Sequence, residues 1–184
     1  MSRRDRLTCA LGLTLVLVAL TVALVACGDT SDGGRRDMDD DAKVTALEDD
    51  VSSARDGVVR AVAAALGSDF VGGKRRHRWC GESYAPRGVR LDEHLRFAPS
   101  PLGVQGATDA AARVLEEQGW TVERPGNPAV VVGTRGAVEV RVEAGPAAVQ
   151  LDLGNPDCLE TSDDVARAFA DRDIADVAWE SPSS

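Results

Sequence analysis

The spacing of apolar positions changes along the chain, and each change marks a different kind of segment. Residues 7–26 are nearly all apolar. The stretch that follows, residues 28–41 (GDTSDGGRRDMDDD), is almost devoid of apolar residues and cannot bury a core. It reads as a flexible tether. From Asp40 to Leu66 the apolar residues Val44, Leu47, Val51, Ala54, Val58, Val62 and Leu66 recur at steps of three and four. That period predicts a helix with one apolar stripe. Asp39, Asp40 and Asp41 are N-cap candidates, and Gly67 is its stop. One stripe on a charged helix should pack against a sheet; a homodimeric coiled coil is the alternative.

Beyond Gly67 the period shortens to two. Strands are predicted through His77–Tyr84, Val89–Leu91 and His94–Ala98, with Ala85-Pro86-Arg87-Gly88 as a turn and Pro99 and Pro101 ending the last strand. Thr108 is the predicted N-cap of a second helix running to Gly119, and Trp120-Thr121-Val122 starts a strand after it. The clearest alternation lies in residues 130–132, 137–143 and 148–153, where Val138, Val140 and Val142 interleave with Glu139, Arg141 and Glu143. Turns at Gly133–Gly136 and Gly145-Pro146 join these strands into an antiparallel meander with one wet face. A last short helix, capped by Thr161 or Ser162, should turn Val165, Ala168 and Phe169 inward. The predicted fold is α+β: a two-layer arrangement of one antiparallel sheet with helices packed on one face. It occupies residues 42–179, with a polar tail at 180–184.

The chemistry of the N-terminal segment gives that apolar run a purpose. MSRRDR is a basic leader, the apolar run follows, and the run closes on Leu24-Val25-Ala26-Cys27. Twenty apolar residues are also long enough to span a bilayer. The closing tetrapeptide, however, resembles the lipobox of bacterial lipoprotein precursors. That resemblance implies a signal peptide over residues 1–26, a diacylglyceryl group on the Cys27 thiol, cleavage before Cys27, and acyl chains such as palmitate holding residues 27–41 to a membrane. Two or three acyl chains suit a stable tether, because one gives only marginal binding. The expected location is the extracytoplasmic face of the plasma membrane.

Four cysteines occur. Cys9 leaves with the signal peptide and Cys27 takes the lipid. Cys80 and Cys158 remain in an oxidising compartment, where a disulfide is expected. Two free buried thiols are the alternative; a zinc site lacks a close pair of ligands. The plan as a whole is similar to small uncharacterised actinobacterial lipoproteins, through Leu24–Cys27, the Gly119-Trp120 helix-to-strand junction, the strands after it and Cys158. The resemblance implies an α+β domain with one disulfide and transfers no active site.

Charge narrows the partners. The formal charge is -9, and residues 1–26 carry a net +2, leaving -11 on the remainder. Such an acidic body argues against nucleic acid and against broad adhesion to an anionic bilayer. One basic cluster breaks the trend, Lys74-Arg75-Arg76-His77-Arg78. Lys74, Arg75, Arg76 and Arg78 are the candidate anion-binding residues, for lipid head groups, a cell-wall polyanion or an acidic envelope protein. The alternatives are a solvated loop whose charges offset nearby carboxylates, or a guarded edge strand. No cofactor or metal motif is present in the sequence.

Catalytic candidates are sparse. His77 and His94 are the only histidines, and Ser83 or Ser100 would have to serve as nucleophile. Neither serine sits in a nucleophile elbow. Glu82, Asp92 and Glu93 could form a carboxylate pair, and Trp79, Trp120 and Trp179 could line a groove, with Trp79 packed beside the Cys80 disulfide. The sequence therefore favours a non-enzymatic lipoprotein that binds a partner or ligand outside the membrane. An envelope hydrolase acting on wall or lipid material through His77 or His94 is the alternative.

Overall fold

The computed structural model describes residues 32–179, with side chains from residue 38 onward. The signal segment, Cys27 and residues 180–184 lie outside the described residues. A long helical segment opens the fold: α1 (Asp32–Ala54), one π-helical turn (Arg55–Val59) and α2 (Arg60–Leu66). The π turn inserts one residue into the helical pitch. It carries the apolar stripe from Val44, Leu47, Val51, Ala54 and Val58 onto Val59, Val62, Ala63 and Leu66, all buried. Gly67 then takes a left-handed φ of 60° and ends the helix.

The helix starts earlier than its composition predicts: residues 32–41, expected as part of the tether, are helical. A polar stretch can be the wet face of a helix, and acidic residues are favourable in its first turns. Asp40 does not cap its own helix. It is buried, and its Oδ2 accepts the Ser162 N–H at 2.7 Å, at the N-terminus of α4 (Asp163–Ala170). Its Oδ1 accepts from Lys43 Nζ at 2.6 Å, and this bond, with the Ser162 N–H, holds the Asp40 carboxyl below the usual carboxylate range.

The sheet has eight strands among the described residues: β1 (Phe70–Glu82), β2 (Ala85–Phe97), β3 (Thr121–Glu123), β4 (Val130–Arg135), β5 (Val138–Ala144), β6 (Val149–Gly154), β7 (Leu159–Glu160) and β8 (Ala175–Asp176). Their order is β3-β4-β5-β6-β2-β1-β8, with β7 beside β2, and every pairing is antiparallel. Leu91, Leu95, Val140, Val142, Leu151 and Leu153 line the face against which α1–α2, α3 (Gly103–Glu117) and α4 pack. This is the expected α+β layer arrangement with helices on one face. Among the described residues no helix is long and apolar enough to cross a membrane.

Several local expectations change. Ala85–Gly88 is not a turn but the start of β2, and the turn lies at Ser83-Tyr84. Pro86 is tolerated because it stands opposite Gly81, at a register shift between Cys80 and Gly81. The two short strands predicted after it are one strand of 13 residues. Thr108 is inside α3, fully buried, with Oγ1 3.0 Å from Gln105 O and 3.2 Å from Pro128 O. Its hydroxyl ties helix to loop instead of capping. In α4 the buried residues are Ala166 and Phe169; Ala168 is exposed.

Cys80 and Cys158 form the expected disulfide, with Cα atoms 6.1 Å apart across a sequence separation of 78. The bridge joins β1 to the segment entering β7 and passes over β2 at Gly88. A Cβ there would strike Leu159 O and lie 2.8 Å from Cys158 Sγ, so glycine makes room for both β7 and the bridge. Between β6 and β7 the chain leaves the edge of β2, and the Asn155 side chain takes the place of a strand. Its Oδ1 accepts the Leu91 N–H at 2.7 Å, and its Nδ2 donates to Val89 O at 3.2 Å and to Asp157 O at 2.7 Å.

Candidate functional site

Strand geometry divides the basic run. Successive side chains point to opposite faces, so Arg75 and His77 turn toward the helices while Lys74, Arg76 and Arg78 turn to the uncovered face. The four cations predicted as one cluster are therefore not together.

Arg75 belongs to a buried ionic seam. Its Nη2 lies 2.6 Å from Glu93 Oε1 and donates to Ser52 Oγ at 3.0 Å. Arg55 Nη1, from the π turn, reaches the same Glu93 oxygen at 3.0 Å. Glu93 is fully buried, and its Oε2 has no hydrogen-bond partner. The Arg55 guanidinium resists deprotonation more than an ordinary arginine: burial opposes its charge, but Asp56 and Glu93 outweigh that effect.

His77 lies beside this seam. Its Nε2 is 3.4 Å from Glu48 Oε1, its ring stands edge-on to Phe169 at 4.8 Å, and its Nδ1 is buried without a partner. Burial pushes its pKa down, and Arg172 and Arg75 add to the effect, while Glu48 opposes it. Glu48 is shared with Arg172 Nη1 at 2.7 Å.

The uncovered face presents a different surface. Lys74, Arg76 and Arg78 stand on β1, opposite His94, Asp92 and Arg90 of β2, and Arg96 follows on β2. Asp92 is the carboxylate that stands among these cations. It binds Arg78 and lies 4.0 Å from Arg90 Nη2. Lys74 pairs with Asp176 at 2.7 Å, but both are well exposed, and such pairs contribute about 0–1 kcal/mol. Arg76 and Arg96 have no partner among the described residues. The cross-strand pair Arg78 and Arg90 places like charges opposite each other, which is unfavourable without an anion between them. Lys74, Arg76, Arg78, Arg90 and His94 line a concavity of about 410 Å³, closed on the far side by Asp152 and Glu139. Its floor includes Gly154, where a Cβ would strike Leu91 O. The acidic half of the face lies on β5 and β6, so charge is separated across it.

The catalytic candidates are not assembled. His94 Nδ1 bonds to Asp152, on the exposed face. Ser100 Oγ donates to Leu66 O at 2.6 Å, and the Ser83 carbonyl accepts from Arg167 at 3.3 Å. Asp92 and Glu93 are adjacent but face opposite sides of the sheet. The tryptophans are also apart. Trp120 lies under Arg135 at 4.7 Å, Trp179 stacks on Phe70 at 4.9 Å, and Trp79 is 38% exposed on the face opposite Cys80, not packed on the disulfide. Among the described residues no group of three His, Cys, Asp or Glu could hold a metal ion. Arg55 and Asn155 escape sequence reasoning, and Glu93 enters it only as a possible carboxylate-pair member, because a polar residue in an apolar register looks like a strand end until its partners are placed.

Comparison with protein families, with curated proteins and with solved structures finds no match to this chain.

Proposed function

We propose that this chain is the precursor of a membrane-anchored envelope lipoprotein whose exported domain binds an anionic ligand on the uncovered face of its sheet. The observation that carries the binding assignment is the outward set Lys74, Arg76, Arg78, Arg90 and Arg96, with Asp92 as the carboxylate among them, in a chain of net charge -9. Arg76 needs no partner to be displaced, and the exposed Lys74–Asp176 pair gives way cheaply. Arginine suits such a site because its planar fork grips phosphate or carboxylate with two parallel bonds.

Two features support the anchoring assignment: Leu24–Cys27 with its basic leader, and a disulfide that belongs to an oxidising compartment. The hydrolase alternative gains nothing from the geometry, because His77 and His94 bind carboxylates and neither serine stands beside them.

Binding is tested with polyphosphate as the probe. The R76A/R78A/R90A variant should lose most of the affinity, and the affinity of the unmodified protein should fall as salt rises. Equal binding by both proteins would refute the assignment. Anchoring is tested by intact mass of the protein extracted from membranes: the expected species starts at Cys27 with acyl groups attached, and one starting at Met1 or Ser2 rules out processing.

A further inference from the structure

The β1–β2 hairpin ends in exposed aromatic side chains. Tyr84 is 80% exposed and Trp79 38%. Phe70, Phe97, Phe169, Trp120 and Trp179 all belong to the core or pack against it. The hairpin end is held firmly. Cys80 is bridged to Cys158, and Arg167 Nη1 donates to Ser83 O at 3.3 Å. Exposed aromatics on a fixed support lose little freedom when they meet a surface.

The position of this end in the domain is informative. The helical segment from α1 to α2 runs antiparallel to β1. Glu48 meets His77, Ser52 meets Arg75, and Arg60 lies over Trp179, which stacks on Phe70. A helix rises about 1.5 Å per residue and a strand about 3.3 Å. Continuing that match brings the turns of α1 near Met38 and Asp40 level with the end of β1. Met38 is itself 67% exposed. The hairpin end is thus level with the first described side chains of α1. Cys27 stands five residues before Asp32, the first residue of α1, a chain length of at most about 18 Å.

We propose that Trp79 and Tyr84 insert into the interfacial zone of the membrane that holds the lipid on Cys27. This rests on the lipoprotein assignment and adds a second, non-covalent contact to it. Tryptophan and tyrosine are the residues that settle at the bilayer–water boundary, ring in the acyl region and polar tip in water. Arg87, exposed three residues after Tyr84, is placed to meet lipid phosphates. Asp39 and Asp41 at the same end oppose wider adhesion to an anionic surface, which confines the contact to the hairpin.

The processed, lipidated protein is reconstituted in phosphatidylcholine vesicles whose acyl chains carry bromine near the head group. Tryptophan emission should be partly quenched, the quenching should vanish in W79F, and Y84A should weaken it. Intact mass of the same sample separates two kinds of failure. A lipidated protein that floats with the vesicles, yet shows no quenching or the same quenching in W79F, overturns the hairpin contact alone. A protein without lipid overturns the anchor and the hairpin contact together.

Discussion

Arg75 Nη2 lies 2.6 Å from Glu93 Oε1, beneath the helices, while the next residue on the strand, Arg76, stands on the opposite face. One residue of strand register thus separates a structural arginine from a candidate binding arginine.

The two should differ in stability. R75A leaves the buried Glu93 with Arg55 alone and should cost about 3 kcal/mol, the range for breaking one side of a buried pair. R76A removes an exposed side chain and should stay within about 0.5 kcal/mol. Urea unfolding of the two variants checks this, and equal losses would contradict the facial division.

Asn155 should matter more than its position in a loop suggests. N155A leaves the Leu91 N–H and the Val89 carbonyl without partners in the buried sheet, so a loss of about 2–3 kcal/mol is expected. A midpoint in urea close to that of the unmodified protein would show that the side chain does not complete the ladder.

The Cys80–Cys158 bridge closes a long loop, and losing it should cost about 4 kcal/mol through the freedom returned to the unfolded chain. The C80A/C158A protein should melt well below the oxidised one. G88A should also destabilise, because the added methyl meets Cys158 Sγ and the Leu159 carbonyl. G88A in the C80A/C158A background should cost less than in the oxidised protein. If the costs are equal, the bridge is not what Gly88 accommodates.

His77 gives stability a pH dependence. Burial holds its pKa below the ordinary 6.5, so the folded protein keeps it neutral where the unfolded chain protonates it. The unfolded state therefore binds the extra proton, and stability rises with pH. The contribution is complete above about 6.5 and is lost as pH falls through the lower folded value. Urea midpoints should drop between pH 7.5 and pH 5, and H77Q should flatten that slope. An unchanged slope in H77Q would assign the effect elsewhere.

The legible parts of the fold are those where side-chain chemistry and register agree. Val138, Val140 and Val142, then Val149, Leu151 and Leu153, alternate cleanly, and the structure has strands there. The stripe from Val44 to Leu66 is also visible in sequence, although the π turn that shifts it is not. Strand β1 is hard to bound from sequence because its inward positions Gly73, Arg75 and His77 carry no apolar signal. Its inward polarity is satisfied by Glu93 and Glu48, residues 18 and 29 positions away, and a linear reading does not pair them. For the same reason KRRHR reads as one cluster in sequence, although adjacency in sequence is opposition across a sheet.

The proposed anion site lies on β1 and β2, on the uncovered face of the sheet. Its most direct test is a titration of polyphosphate against R76A and R141A, two variants with the same charge loss on the same face of the sheet. R76A, from the basic strand pair, should weaken binding at least several-fold, whereas R141A, from the acidic half, should leave it nearly unchanged. Equal weakening in both, or none in either, would contradict the assignment of the site to β1 and β2.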